Sequence, residues 1–192
     1  PNLAKARQIN LVNQGIIIRE ADLNKISVRE LTEKFLGADI VIHLAAFAGV
    51  RQSAVTPHEY SLSNLTAFTN VLEAVRIVKP RLFLFASSSS VYGNSNSDVP
   101  QEEESASGLN LASYYAATKW TNEILARSHA RNYGINSVAL RFFTVYGSYG
   151  RPDMAYMSFL DKILKAQEIE LYGETGGYRS FSHVLDVANV IS

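Results

Sequence analysis

Cysteine is absent from the 192 residues. Disulfide scaffolds, thiol nucleophiles and Cys-type zinc sites are therefore excluded. The four histidines, His43, His58, His129 and His183, show no close metal-ligand spacing, so no metal is expected. No uninterrupted apolar run approaches the roughly 20 residues of a membrane span. The opening residues do not read as a signal peptide. The expected location is the cytoplasm, without a membrane partner. Excess charge is lacking too: Lys+Arg and Asp+Glu are each 18. That balance gives no support for a nucleic-acid partner, which favours a basic surface.

What is present suits an ordinary globular fold, with 47% hydrophobic and 19% charged residues. Residues 15–20 (GIIIRE), 39–46 (DIVIHLAA), 81–87 (RLFLFAS) and 136–142 (NSVALRF) read as short buried strands. Helical patterns lie between them: one from Ser27, an N-cap with Glu30 three residues on, one over 57–78 and one over 111–133. A further helix is expected over 154–166. Strands apolar on both faces and separated by helices predict a doubly wound parallel α/β sheet of the Rossmann type. Residues 1–150 are assigned to this domain and 151–192 to the start of a smaller substrate-binding region.

One further absence bears on function. A dinucleotide-binding fold opens with a strand, a Gly-rich turn and a helix, and no such turn occurs here. In the strand order 3-2-1-4-5-6, two strands separate strand 3 from strand 4. If GIIIRE is strand 3 and DIVIHLAA strand 4, the sheet is incomplete, and the chain is expected to be an internal piece of a longer protein. Alone, it is expected to fold poorly or to be inactive.

Tyr115 and Lys119 stand at i and i+4 in YAATK, on one helical face. An adjacent ammonium stabilises a phenolate, which brings tyrosine closer to a useful pKa for proton transfer. The serine run 87–90 closes a buried strand, at the carboxyl end where parallel sheets bind ligands. A hydroxyl there can hydrogen-bond a reacting oxygen.

HLAA (43–46), SSSSVYG (87–93), YAATK (115–119) and LRFFTVYG (140–147), in this order, resemble the extended short-chain dehydrogenase/reductase family. With GVRQS (49–53) and RFFTVYGSYGRPDM (141–154), the chain is most similar to the UDP-glucuronate 4-epimerase branch. The resemblance implies NAD as cofactor, a UDP-sugar as substrate and a homodimer built on the long helices. It also suggests a role in polysaccharide synthesis. Tyr115 would be the base at the sugar 4-hydroxyl, Lys119 would bind the nicotinamide ribose and tune Tyr115, and Ser88 would be the hydroxyl partner. Asp22 and Leu23 would lie by the adenine, Leu44, Ala45 and Ala46 along the cofactor backbone, Asn64 near its phosphates or ribose, and Phe142 beside the nicotinamide.

The implied reaction interconverts UDP-glucuronate and UDP-galacturonate through a 4-keto sugar. Such a β-keto acid loses its carboxylate if that group aligns with the ketone. Ser89, Ser90, Thr144 and Arg151 are candidates to hold the carboxylate out of alignment, and Arg179 matches the arginine for the diphosphate. Dehydratases of similar sequence carry an Asp-Glu pair where Ser89 and Ser90 stand, and decarboxylases usually a glutamate at the position of Ser90. UDP-hexose epimerisation and UDP-glucuronate decarboxylation are the enzymatic alternatives. A catalytically inactive truncated relative is the third. His43 is expected to be structural.

Overall fold

The computed structural model describes residue 11 and residues 14–93, 100–170 and 180–192. The chain forms two compact units, one of residues 20–142 and one that joins the residues before 20 to those from 143 onward.

The first unit begins with helix α1 (Val28–Phe35). The Ser27 hydroxyl accepts from the Glu30 amide at 3.2 Å, and the Glu30 carboxylate accepts from the Ser27 amide at 3.2 Å. This reciprocal cap satisfies two otherwise unpaired amides, so the helix starts where the sequence places it. Strand β1 (Ile40–His43) follows, then α2 (Val50–Val55) and α3 (Pro57–Ser61). The expected single helix over 57–78 is interrupted: a π-helical turn, Leu62–Thr66, separates α3 from α4 (Ala67–Val78). The wider turn carries Asn64, the kind of local irregularity that often marks a functional site. Strand β2 (Leu82–Ala86), 3-10 turns at Ser89–Tyr92 and Glu103–Ser105, helix α5 (Tyr114–Tyr133) and strand β3 (Ser137–Leu140) complete the unit.

The three strands are parallel in the order β1-β2-β3, with Val41 opposite Phe83 and Phe85 opposite Ala139. Val41, Phe83 and Phe85 share a face and pack with Leu31 of α1, Phe68, Val71, Leu72 and Val75 of α4, and Ala126 of α5. The Phe68 ring lies 5.2 Å from that of Phe85 and 6.2 Å from that of Phe83. Burial of each of these rings contributes roughly 1.5–3 kcal/mol, so the packing of these helices on one face of the sheet rests on this aromatic seam. On the other face of the sheet Ile40, Ile42 and Val138 are exposed.

Residues 16–22 form no strand, which corrects the expectation for GIIIRE. A strand needs a hydrogen-bonding neighbour. Two strands would have to lie between this segment and β1, and the described residues supply neither. Ile17 is accordingly 81% exposed.

In the second unit β4 (Thr144–Tyr146) pairs in parallel with β5 (Phe181–His183), and helices α6 (Ala155–Leu164) and α7 (Val184–Ile191) accompany them. Tyr146 packs edge-on against Phe181 and His183. Among the described residues no helix is long and apolar enough to cross a membrane.

Candidate active site

The site is built where β2 ends. The carbonyl of Ala86, its last residue, accepts a 2.9 Å hydrogen bond from Lys119 Nζ, one turn into α5. Ser88 then caps the Ser89–Tyr92 turn: its hydroxyl accepts from the Ser90 amide and donates to Ser90 Oγ, both at 3.2 Å. The Ser89 amide donates to the Phe142 carbonyl at 2.9 Å, so the serine turn is anchored just beyond β3.

Helix α5 starts at Ser113, whose hydroxyl accepts from the Ala116 amide at 3.0 Å. The Tyr115 amide, one of the unpaired donors of a first turn, donates to Ser53 Oγ at 3.1 Å. The Tyr115 ring is half-buried and meets Tyr60 edge-on at 6.3 Å. Lys119 Nζ stands 5.9 Å from the centre of the Tyr115 ring. Tyr115 and Lys119 are therefore brought together at the carboxyl end of β2, beside the serine turn.

Burial shapes the charges here. Lys119 is 3% exposed, and loss of water pushes its pKa down from 10.5 to about 8. It remains mostly protonated at neutral pH, where its charge favours a phenolate. His43 is buried against Phe68, and burial first, then the Lys119 charge, lowers its pKa to about 4. A neutral imidazole on the core face is a packing residue.

Asn64, expected near the cofactor phosphates or ribose, is bonded within the protein. It is 1% exposed; its Oδ1 accepts from the Phe47 amide at 2.8 Å, and its Nδ2 donates to the Phe47 carbonyl at 3.0 Å and to Thr118 Oγ1 at 3.1 Å. Through these bonds Asn64 holds the segment after β1 in place. That segment offers Leu44 and Ala45 exposed and Ala46 half-buried. Asp22 is exposed, its carboxylate accepts from the Asn24 amide at 3.0 Å, and that bond holds it below the usual carboxylate pKa. The Leu23 carbonyl accepts from Asn70 Nδ2 of α4 at 2.8 Å. Phe142 is half-buried.

Thr144 and Arg151 belong to the second unit. The Thr144 amide donates to the Ser180 carbonyl at 3.3 Å. Arg151 makes a two-pronged pair with Asp153, with Nε 2.9 Å from Oδ1, and this pair holds the Asp153 carboxyl below its usual pKa. Arg179 lies outside the described residues.

The sequence reasoning missed Glu123. It is 6% exposed on α5, accepts from Ser87 Oγ at 2.5 Å, and receives both Nε (3.0 Å) and a terminal nitrogen (2.8 Å) of Arg141. The available signal was spacing: Glu123 follows Lys119 by four residues, as Lys119 follows Tyr115. Among the described residues, no group of three or more His, Asp or Glu side chains could hold a metal ion.

Comparison with known proteins matches residues 2–192 to the NAD dependent epimerase/dehydratase family. The chain belongs to this family. UDP-glucuronate 4-epimerase 4 of Arabidopsis thaliana is 41% identical over 192 residues, covering 97% of the chain and 43% of that protein. Protein CapI of Staphylococcus aureus is 40% identical over 172 residues, covering 89% of the chain and 49% of that protein. The solved structure of UDP-glucuronic acid 4-epimerase from Bacillus cereus, in complex with UDP-glucuronic acid and NAD, superposes with a TM-score of 0.83 at 30% identity. That match covers 98% of the chain and 61% of the Bacillus protein. The chain thus spans less than half of the two curated relatives named here, and it shares its fold with the Bacillus structure.

Proposed function

We propose that the chain is part of an NAD-dependent nucleotide-sugar epimerase that interconverts UDP-glucuronate and UDP-galacturonate through a 4-keto sugar. The supporting observation is the Tyr115–Lys119 pair at the carboxyl end of β2, with Lys119 Nζ on the Ala86 carbonyl at 2.9 Å. The surroundings fit a dinucleotide. Ala45 and Ala46 leave room for a flat ligand after β1, and Asn64 holds that segment through Phe47. Leu44, Ala45, Ala46, Asp22 and Leu23 would border NAD, with Phe142 by its nicotinamide. Bound NAD would supply a hydride acceptor and donor at C4 of the sugar.

The residues of this chain do the rest. Tyr115, as phenolate, takes the proton of the 4-hydroxyl while C4 is oxidised, and returns it when C4 is reduced from the other face. The Lys119 ammonium stabilises that phenolate. The Ser88 hydroxyl, turned from Ser90 Oγ toward the sugar, hydrogen-bonds the developing oxyanion. Ser89 and Ser90 are neutral, so they can hold a carboxylate by hydrogen bonds but cannot supply the acid and base that dehydration needs. Thr144, Arg151 and Arg179 are assigned to the uronate and the diphosphate, Arg151 by exchanging Asp153 for substrate.

The test is incubation of the full-length protein with NAD and UDP-glucuronate, followed by chromatography. UDP-galacturonate is the expected product. Carbon dioxide with a UDP-pentose as main product would sink the proposal in favour of a decarboxylase. Preference for UDP-glucose would select a hexose epimerase.

A further inference from the structure

Arg141 and Glu123 form an ion pair whose further contacts include Ser87, Tyr92 and Glu103, before, within and beyond the serine turn. Arg141, just past β3, is paired with Glu123 at 2.8 Å, and the two side chains are 14% and 6% exposed. A third nitrogen of the guanidinium donates to the Glu103 carbonyl at 2.6 Å. Its carbon lies 5.0 Å from the Tyr92 ring centre and 5.9 Å from that of Trp120. Glu123 in turn accepts from the Ser87 hydroxyl at 2.5 Å. Ser87 is 2% exposed and is tied through its amide to the Leu140 carbonyl at 2.8 Å.

The consequence is geometric. Ser87 lies in the chain between two residues that matter: Ala86, whose carbonyl holds Lys119, and Ser88, which caps the serine turn. Tyr92 closes that turn, and Glu103 belongs to the polar loop beyond it. A planar fork can hold a carboxylate by two parallel bonds and still donate to a carbonyl and face an aromatic ring; an ammonium cannot do all of this at once. One ion pair therefore connects α5, the end of β3, Tyr92, Glu103 and the residue that joins Lys119's acceptor to Ser88.

We propose that Glu123 and Arg141 are positioning residues that set the Ser88–Ser90 turn against Tyr115 and Lys119 for hydride and proton transfer. The kinetic part rests on the epimerase reading; the structural part does not. Remote positioning of this kind matters because small misplacement of reacting groups lowers rate far more than binding.

The experiment uses the full-length protein with NAD and the variants Glu123→Gln, Arg141→Lys and Ser87→Ala. The last removes one hydroxyl from the network and leaves the ion pair intact, which keeps the test open if the first two fold poorly. Turnover is measured with C4-protiated and C4-deuterated UDP-glucuronate, and amide hydrogen exchange is followed over residues 87–93 with β1 as internal reference. Expected for Glu123→Gln and Arg141→Lys are a kcat at least tenfold lower, a KM within about threefold, a larger deuterium isotope effect and faster exchange at 87–93 only. Ser87→Ala should show the same pattern at smaller size, about threefold in kcat. A kcat that falls only with the fraction of folded protein, at an unchanged isotope effect, overturns the proposal. So does exchange at 87–93 that stays at the wild-type rate. A wild type that turns over no UDP-sugar sinks the proposed function instead, and the exchange measurement alone then decides on the network.

Discussion

Asn64 grips Phe47 by both of its backbone polar groups, with the Phe47 N–H on Oδ1 at 2.8 Å and its carbonyl on Nδ2 at 3.0 Å. The π-helical turn Leu62–Thr66 carries the side chain that does this. The same Nδ2 reaches Thr118 Oγ1, and Thr118 Oγ1 donates to the Tyr115 carbonyl at 2.8 Å. The segment after β1 and the first turn of α5 are thus set by one side chain.

Asn64→Ala removes the side-chain partner of both the Phe47 N–H and the Phe47 carbonyl. Leaving such groups unpaired costs about 1–3 kcal/mol each where they stay dry. The expected result is a lower urea midpoint and weaker NAD binding by the full-length protein, measured by denaturation and calorimetry. Unchanged NAD affinity in a folded variant would show that the segment after β1 does not need the clamp.

Tyr115→Phe keeps the ring packing against Tyr60 and removes only the phenolic oxygen. Turnover should fall by about 10²–10⁴-fold, as for loss of a general base, with thermal stability near that of wild type. Ser88→Ala should fall by about 10²-fold. Chromatography of product from UDP-glucuronate measures both. Wild-type turnover by Tyr115→Phe would remove Tyr115 from the mechanism.

Lys119 has a folded pKa of about 8 against 10.5 in the open chain, set by burial. Between these values the unfolded chain binds more protons than the folded one, so stability rises as pH climbs from about 8 to 10.5. Below pH 8 the buried charge costs about 3 kcal/mol in full. Lys119→Met should therefore gain stability at pH 7 by up to that amount, flatten the alkaline rise and lose turnover. A variant less stable than wild type at pH 7 would mean that the bond to the Ala86 carbonyl outweighs the burial cost.

His43 titrates in the opposite region. Its pKa falls from 6.5 to about 4, through burial first and the Lys119 charge second. The neutral ring is fully tolerated above pH 6.5, and stability is lost as pH falls from 6.5 toward 4, by about 3 kcal/mol. His43→Gln should flatten this acid limb in urea titrations at pH 4.5 and 7. Parallel profiles for the two proteins would assign the acid limb to other groups.

Gly93 ends the serine turn at φ 76 and ψ −164, a region open essentially to glycine alone. A Cβ there would also overlap the Asn110 carbonyl oxygen. Gly93→Ala should cost about 1–3 kcal/mol from the backbone alone, read as a lower melting temperature, and should reduce turnover by shifting Ser88–Ser90. A variant as stable as wild type would show that the turn relaxes freely.

Local chemistry was legible in the sequence. The Ser27 cap with Glu30, the i,i+4 placing of Tyr115 and Lys119, and the apolar runs that became β1, β2 and β3 depend on residues a few positions apart, whose geometry helix and strand periods dictate. The same rules failed for residues 15–20, because an apolar run becomes a strand only beside another strand, and that neighbour is not a local property. Nor do they reach the bonds of Asn64 to Phe47 and Thr118, 17 and 54 residues away along the chain.

What the sequence alone determined about this protein is a local pattern: a tyrosine and a lysine on one helical face, after a strand that ends in serines. Only the tertiary structure decided what surrounds them. The parallel β1-β2-β3 order brings Glu123 to Ser87 and Arg141, 36 and 18 residues away along the chain. Contacts at that separation are set by how the strands stack and which helix covers them, and no spacing rule reaches so far.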